Sequence, residues 1–365
     1  MTDSDDDLIA PLLEALLLCL DELGSVARRL HPRALRGLAA SMSAPLERLN
    51  AAMSAQAPWP VHLGTLGRQL DLAANETVSA LTGLQAAARS AEPMPAAYRA
   101  LRHMPRALEA LYPLAGLFAP VNRFFLDPAR RDDEALQRRT LVPSPDNTGL
   151  MAFGDASDSR QVVWVYVPET AAPEGGHPLI MALHGGGGRG RGFLWSWLRD
   201  ARTRGAILVA PTSLGPTWAL TDDDHDTPHL AQILDFVRSQ WPVDPTRVLL
   251  TGMSDGGTFA YVSGLQPESP FTHLAPVSAA FHPMLAEMAD GARLRRLPIH
   301  IVHGALDWMF PVDMARGAAS TLQAAGADVT YREVADLSHV YPVELNGAIL
   351  DWMDATPGKA GLAQF

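Results

Sequence analysis

Thr246-Arg-Val-Leu-Leu-Thr-Gly-Met-Ser-Asp-Gly-Gly-Thr-Phe259 is the stretch from which the rest of the chain is read. Arg247 to Thr251 is a short apolar run, as a buried strand requires, and Gly256 to Gly264 begins and carries a helix. Between them, Gly252-Met253-Ser254-Asp255-Gly256 has the spacing Gly-x-Ser-x-Gly. Where a strand turns sharply into a helix at such a sequence, the serine is lifted out of the sheet with its hydroxyl presented. The turn needs glycines because the serine backbone is strained and neighbouring segments pass too close for a Cβ. Ser254 is therefore the candidate nucleophile. In a chain with 29 glycines, a plain glycine-rich turn is the competing reading, and the flanking sequence must decide.

Outward from that turn, the chain after residue 150 alternates between strand and helix. Val162–Val167, Pro178–His184, Ala206–Ala210, Val248–Thr251, Leu274–Val277, Ile299–Val302 and Val329–Val334 read as strands. Thr227–Gln240, Gly256–Gly264, Val312–Ala325 and Val343–Met353 read as helices. Alternation of this kind predicts an α/β fold with a mostly parallel sheet covered on both faces, and functional residues at the carboxyl ends of its strands.

Three further features fall at such ends. His184-Gly185-Gly186-Gly187-Gly188 closes one strand, and successive glycines let backbone N–H groups turn inward to hold the negative oxygen formed when an acyl carbon is attacked. A phosphate cradle is the alternative, but Gly-x-x-x-x-Gly-Lys is absent and no lysine lies nearby. The donors would be Gly185 and Gly186, with the N–H of Asp255 as the second contributor. Asp307 lies a few residues past a strand, where a carboxylate can fix the tautomer of an imidazole; a turn or helix-capping aspartate ahead of Pro311 is the plainer reading. Asp313 belongs to the following helix, and Asp336 is too close to His339 for a separate strand to present it. His339 follows the last strand, in place to take the Ser254 proton and return it to a leaving group. Among 12 histidines, His184 is placed to orient its loop, while His300 and His303 lie in or at the end of a strand.

The order Ser254, Asp307, His339 is that of the α/β-hydrolases. Residues from about 160 to 355 resemble that superfamily, and more narrowly its small serine esterases, the carboxylesterase, phospholipase and dienelactone-hydrolase group. His303-Gly-Ala-Leu-Asp307, Leu322-Gln-Ala-Ala-Gly326 and Val329-Thr-Tyr-Arg-Glu-Val334 carry the likeness. The Gly185–Gly188 run is instead similar to the loop of hormone-sensitive-lipase-like esterases. The resemblance implies Ser254 as nucleophile, Asp307 as acid, His339 as base, and Gly186 with Asp255 as oxyanion donors.

Before residue 126 the sequence is rich in Ala and Leu and poor in β-branched runs. Leu8, Leu12, Leu16, Leu20 and Leu23 fall at helical spacing, as do Leu35, Leu38, Met42, Leu46 and Leu49. With stretches from Leu63 to Arg89 and from Ala96 to Leu111, this predicts five or six helices, serving as a bundle packed for its own stability, as a homo-oligomer interface, or as a cap over a pocket. Residues 127–149, charged and then proline-rich, read as a linker to a catalytic domain at 150–365.

Hydrophobic residues make up 47% and charged residues 19% of the 365, which excludes disorder and fibres. A net charge of −11, with Lys359 as the only lysine, argues against nucleic acid or an anionic membrane as partner. Cys19 is alone, so neither an intrachain disulfide nor a cysteine metal site is expected. The acidic start and the short Leu8–Leu20 run, interrupted by Pro11 and Glu14, fit neither a signal peptide nor a membrane span, and a cytoplasmic location is expected. The acidic segment Trp218–Asp226 reads as a solvated loop rather than a metal site, because consecutive carboxylates diverge. No metal or cofactor is expected. Trp218, Met253, Trp308, Met309 and Phe310 are candidates to line an apolar pocket, with plain core as the alternative. The expected activity is cleavage of a small-molecule carboxylic ester. An amide or peptide substrate on the same machinery, or a silent scaffold that binds a partner, are the other two readings.

Overall fold

The computed structural model describes residues 3–155, 160–221 and 223–356. It divides into two compact units, Met1–Pro143 and Ser144–Phe365.

The first unit is helical: α1 (Asp3–Arg28), α2 (Leu35–Ser41), α3 (Ser43–Ala55), α4 (Gly64–Ala87), α5 (Pro93–Leu101), α6 (His103–Leu111), α7 (Ala119–Phe124) and α8 (Glu134–Thr140). In α1 the stripe Leu12, Leu16, Cys19, Leu20, Leu23 and Val26 is buried. Asp5, Asp6 and Asp7 occupy its amino-terminal end, where the helix dipole favours negative charge. α4 packs against α1, α3, α5 and α6. Its approach to α5 depends on Gly83, where a Cβ would come within 2.8 Å of the Ala100 Cβ.

Among the described residues, seven α-helices precede residue 126, one or two more than expected. The Leu35–Leu49 periodicity is divided at Met42, and Ala96–Leu111 is divided at Arg102. Pro45 and Pro105, each in the first turn of the following helix, have no N–H to bond back across the break. Within 127–149, the stretch read as linker, α8 is folded: the Asp133 carboxylate caps it through the Leu136 N–H and Leu136 is buried.

The second unit is built on an eight-stranded sheet: β1 (Gly149–Phe153), β2 (Val163–Val167), β3 (His177–Leu183), β4 (Ile207–Ala210), β5 (Val243–Met253), β6 (His273–Val277), β7 (Pro298–Gly304) and β8 (Asp328–Val334). The order is β1-β2-β4-β3-β5-β6-β7-β8, with β1, β2 and β4 joined antiparallel and the remaining pairs parallel. This is the α/β fold expected, with β1 added at the edge. The chain leaves β3 for β4 on one side and returns to β5 on the other, so the strand order reverses at β3. A crevice opens at such a point, at the carboxyl ends of the strands.

The helices of this unit are α9 (Gly190–Phe193), α10 (Leu198–Arg204), α11 (Asp226–Gln240), α12 (Asp255–Gly264), α13 (Met284–Met288), α14 (Gly291–Leu294), α15 (Val312–Ala324) and α16 (Asn346–Ala355). β3, β4, β6 and β7 are buried along their whole length, as central strands covered on both faces must be. Among the described residues no helix is long and apolar enough to cross a membrane.

Candidate active site

Leu183, Gly252 and Pro276 lie side by side across β3, β5 and β6, and Val277 pairs with Val302 of β7. The loops that leave these strands therefore emerge at one rim. Ser254 stands where the chain leaves β5, with φ 56° and ψ −121°, a left-handed backbone that costs a non-glycine residue about 1–3 kcal/mol. The surroundings impose it: the Ser254 N–H donates to Val277 O at 2.9 Å, and its carbonyl accepts the Thr258 N–H at 2.8 Å. The glycines are required by contact. A Cβ on Gly252 would lie 2.6 Å from the Gly256 carbonyl, and one on Gly256 would lie 2.4 Å from Leu183 O.

His339, five residues beyond β8, places Nε2 3.0 Å from Ser254 Oγ, and its Nδ1 lies 2.8 Å from Asp307 Oδ2. All three residues are buried. The other Asp307 oxygen, Oδ1, accepts the N–H groups of Met309 at 2.9 Å and Phe310 at 2.8 Å. Burial alone would raise the Asp307 carboxyl, but the hydrogen bond from His339, the two backbone donors and the imidazole charge together hold it below its ordinary value. Asp307 thus stays ionised and accepts the hydrogen bond of His339 Nδ1–H, which leaves Nε2 as the acceptor for the serine hydroxyl.

The glycine loop lies against this group. Gly185 packs beside Ser254, since a Cβ there would sit 3.6 Å from the serine Cβ. Gly186 packs on Asp255, whose Oδ2 would meet an added Cβ at 2.6 Å. The Gly188 N–H donates to Gly185 O at 2.9 Å, closing a turn in which Gly187 has φ +65°, as a type II turn requires of its third residue. The N–H of Gly186 is not used by that turn, and Asp255, first residue of α12, carries one of the orphan donors of a helix start.

His184 anchors the loop as a locked imidazole. Its Nδ1–H donates to Gly185 O at 2.7 Å and its Nε2 accepts the Ser213 N–H at 3.1 Å. Burial pushes it down to about 4, against the partial lift of the Gly185 bond and with the Arg160 charge adding to the fall.

The pocket candidates separate. Trp218 is 2% exposed and lies in the core: its indole N–H donates to His184 O at 2.7 Å and its ring stacks on Phe259. It supports the loop from beneath instead of lining an open wall, a correction whose physical reason is that indole N–H, which finds its acceptor only inside. Trp308 and Met309 are 44% and 46% exposed beside Asp307, and Phe310 sets its ring edge-on to His339 at 5.2 Å. Met253 is partly buried at the end of β5.

In the acidic segment, Asp222 lies outside the described residues. Asp224 accepts the Thr227 N–H and the Gln266 amide, and Asp226 accepts the N–H groups of Leu214 at 2.9 Å and Ala219 at 2.8 Å. Among the described residues no group of three metal-ligating side chains forms. Asp226 and Thr217 were missed by sequence reading. Asp226 ties down the loop that grips His184, and the Thr217 hydroxyl donates to Asp255 Oδ2 at 2.5 Å. A buried Asp at a helix start was the available signal.

Residues 224–356 match the phospholipase/carboxylesterase family model. A bifunctional acetylxylan esterase/xylanase from Neocallimastix patriciarum is 31% identical over 154 residues, 40% of this chain and 21% of that protein. A poly(3-hydroxybutyrate) depolymerase from Ralstonia pickettii is 27% identical over 118 residues, 26% of this chain and 24% of that protein. The chain thus spans about a quarter or less of the length of these curated relatives. Among solved structures, a thermostable esterase aligns with TM-score 0.47 at 20% identity, over 58% of this chain and 64% of that one. The unit Ser144–Phe365 has the α/β-hydrolase fold, and its residues 224–356 carry the match to the phospholipase/carboxylesterase family.

Proposed function

We propose that the unit Ser144–Phe365 hydrolyses carboxylic esters through an acyl-enzyme on Ser254. The observation that carries this reading is the pair of contacts at His339, Nε2 to Ser254 Oγ at 3.0 Å and Nδ1 to Asp307 Oδ2 at 2.8 Å. His339 takes the hydroxyl proton as Oγ forms a bond to the ester carbon, and Asp307 stabilises the imidazolium. The carbonyl electron pair moves to oxygen, which the N–H groups of Gly186 and Asp255 hold, with Gly185 alongside. When that pair returns, the bond to the alcohol breaks and His339 protonates the leaving oxygen. Water then repeats the sequence on the acyl group and frees Ser254.

Two relatives carry names of proteins acting on esters, acetylxylan and poly(3-hydroxybutyrate), which supports an ester ahead of an amide as substrate. The exposed Trp308 and Met309 beside Asp307 offer apolar contact to one side of it. The test is turnover of p-nitrophenyl esters by the wild type and by Ser254→Ala. A loss on the order of 10⁴-fold or more is expected, larger than removal of one oxyanion donor. Unchanged turnover in the variant ends the proposal.

A further inference from the structure

His303, the penultimate residue of β7, is fully buried four residues before Asp307. Its Nε2 lies 2.8 Å from Phe310 O and 3.5 Å from Asp307 Oδ2. A carbonyl oxygen only accepts, so Nε2 carries the proton in that bond. Its other nitrogen, Nδ1, has no hydrogen-bond partner among the described residues. A buried imidazole with one nitrogen left unsatisfied is a cost to the fold, and calls for a reason at the nitrogen that is satisfied.

Phe310 supplies the reason. Its N–H donates to Asp307 Oδ1, its ring meets the His339 ring edge-on at 5.2 Å, and its carbonyl is the group that His303 holds. One residue thus touches both the carboxylate and the imidazole, and His303 fixes that residue from the strand. At 3.5 Å the same Nε2–H also stands beside the Asp307 oxygen that receives Nδ1 of His339. In register with His303 on β8 is Glu333, itself bound to Arg316 at 2.7 Å and to the Tyr331 hydroxyl at 2.9 Å. That carboxylate spends its hydrogen bonds on Arg316 and Tyr331 and acts on His303 through charge alone.

We propose that His303 is a positioning residue: through its Nε2–H on Phe310 it holds Asp307 in the orientation that serves His339. This rests on the ester-hydrolase reading of the site. Removing the donor leaves Asp307 turning about a loosened 308–310 turn, and a misplacement of about 1 Å at a relay of this kind costs on the order of 10²-fold.

The experiment compares the wild type, His303→Leu, His303→Gln and His303→Asn on a p-nitrophenyl ester, with kcat, KM and the pH profile of kcat/KM. Leucine removes the donor. Glutamine carries an N–H at similar reach, and asparagine carries one that falls short. Expected for Leu and Asn is a kcat lower by about 10–100-fold with KM within threefold. The acidic limb of kcat/KM should also move to lower pH, because a poorly oriented carboxylate stabilises the imidazolium less. Glutamine should restore kcat to within a few-fold and leave the limb in place. A merely structural role would not move the limb.

Wild-type kcat and profile in His303→Leu, or equal losses in Gln and Asn, would overturn the proposal. If the Leu variant does not fold, the Gln and Asn pair decides alone. Ser254→Ala is assayed in parallel: turnover surviving there defeats the hydrolase reading itself, whereas a dead Ser254→Ala with indifferent His303 variants defeats only the positioning role.

Discussion

The two arms of the site are built by opposite means. In the relay arm, Ser254, His339 and Asp307 are joined by side chains that lie 85 and 32 residues apart in sequence, each hung from a different strand end. In the glycine arm, His184 to Gly188 is a local turn whose geometry depends on side chains that are missing. The relay is therefore vulnerable to a change of charge or hydrogen-bond capacity at constant volume. The glycine arm is vulnerable to a single added methyl group at constant charge.

The sharpest way to break the comparison is Asp307→Asn, which preserves shape and removes the acceptor that fixes the His339 tautomer. A fall in kcat of about 10⁴-fold is expected, with the thermal midpoint nearly retained. A fall of tenfold or less would mean that the carboxylate serves folding and not the relay.

Gly186→Ala probes the other arm. The new Cβ would stand 2.6 Å from Asp255 Oδ2, so the carboxylate must swing away and release the Thr217 hydroxyl. Because the loop carries a proposed oxyanion donor, kcat should fall by about 10²–10³ while KM changes little. Steady-state kinetics on one ester decides it; an unaffected kcat would show that the loop tolerates a side chain and so is not part of the machinery.

A smaller effect concerns stability against pH. Burial holds both His184 and His300 at about 4, below the ordinary 6.5. Between those values the unfolded chain binds the protons and the folded chain refuses them. Stability is therefore complete above pH 6.5 and falls as the pH drops toward 4, by up to about 3 kcal/mol for each group. Thermal midpoints measured from pH 7 to pH 4 should decline. His184→Gln should flatten part of that decline, and an unchanged slope in the variant would remove His184 from the account.

Much of this was legible in the sequence because the signals were local or periodic. Gly252 to Gly256 marks a strand-to-helix turn by its glycines alone, and the apolar runs at β3 to β8 are short, separated and bounded by turn residues. Asp307 and His339 could be singled out because each lies in the loop that follows a strand, three and five residues past its end. What was not legible depends on partners brought together by folding. Trp218 looked like a wall residue until its indole was seen bonded beneath the glycine loop. The work of Asp226 lies in two backbone N–H groups at positions 214 and 219 that no spacing rule connects to it. β1 escaped because Gly149-Leu-Met-Ala-Phe153 has no β-branched residue and gains its strand character by pairing with β2. In the helical unit, apolar periodicity runs on through Met42 and Arg102, and only Pro45 and Pro105 interrupt the hydrogen-bond ladder beneath it.

The most direct test of the central claim is to trap the intermediate. Wild-type protein mixed with p-nitrophenyl acetate and quenched in acid within the first turnover should carry one acetyl group, mapped by mass spectrometry to the peptide containing Ser254 and absent from Ser254→Ala. Steady release of p-nitrophenol with the acyl group on another residue, or on none, would contradict the account.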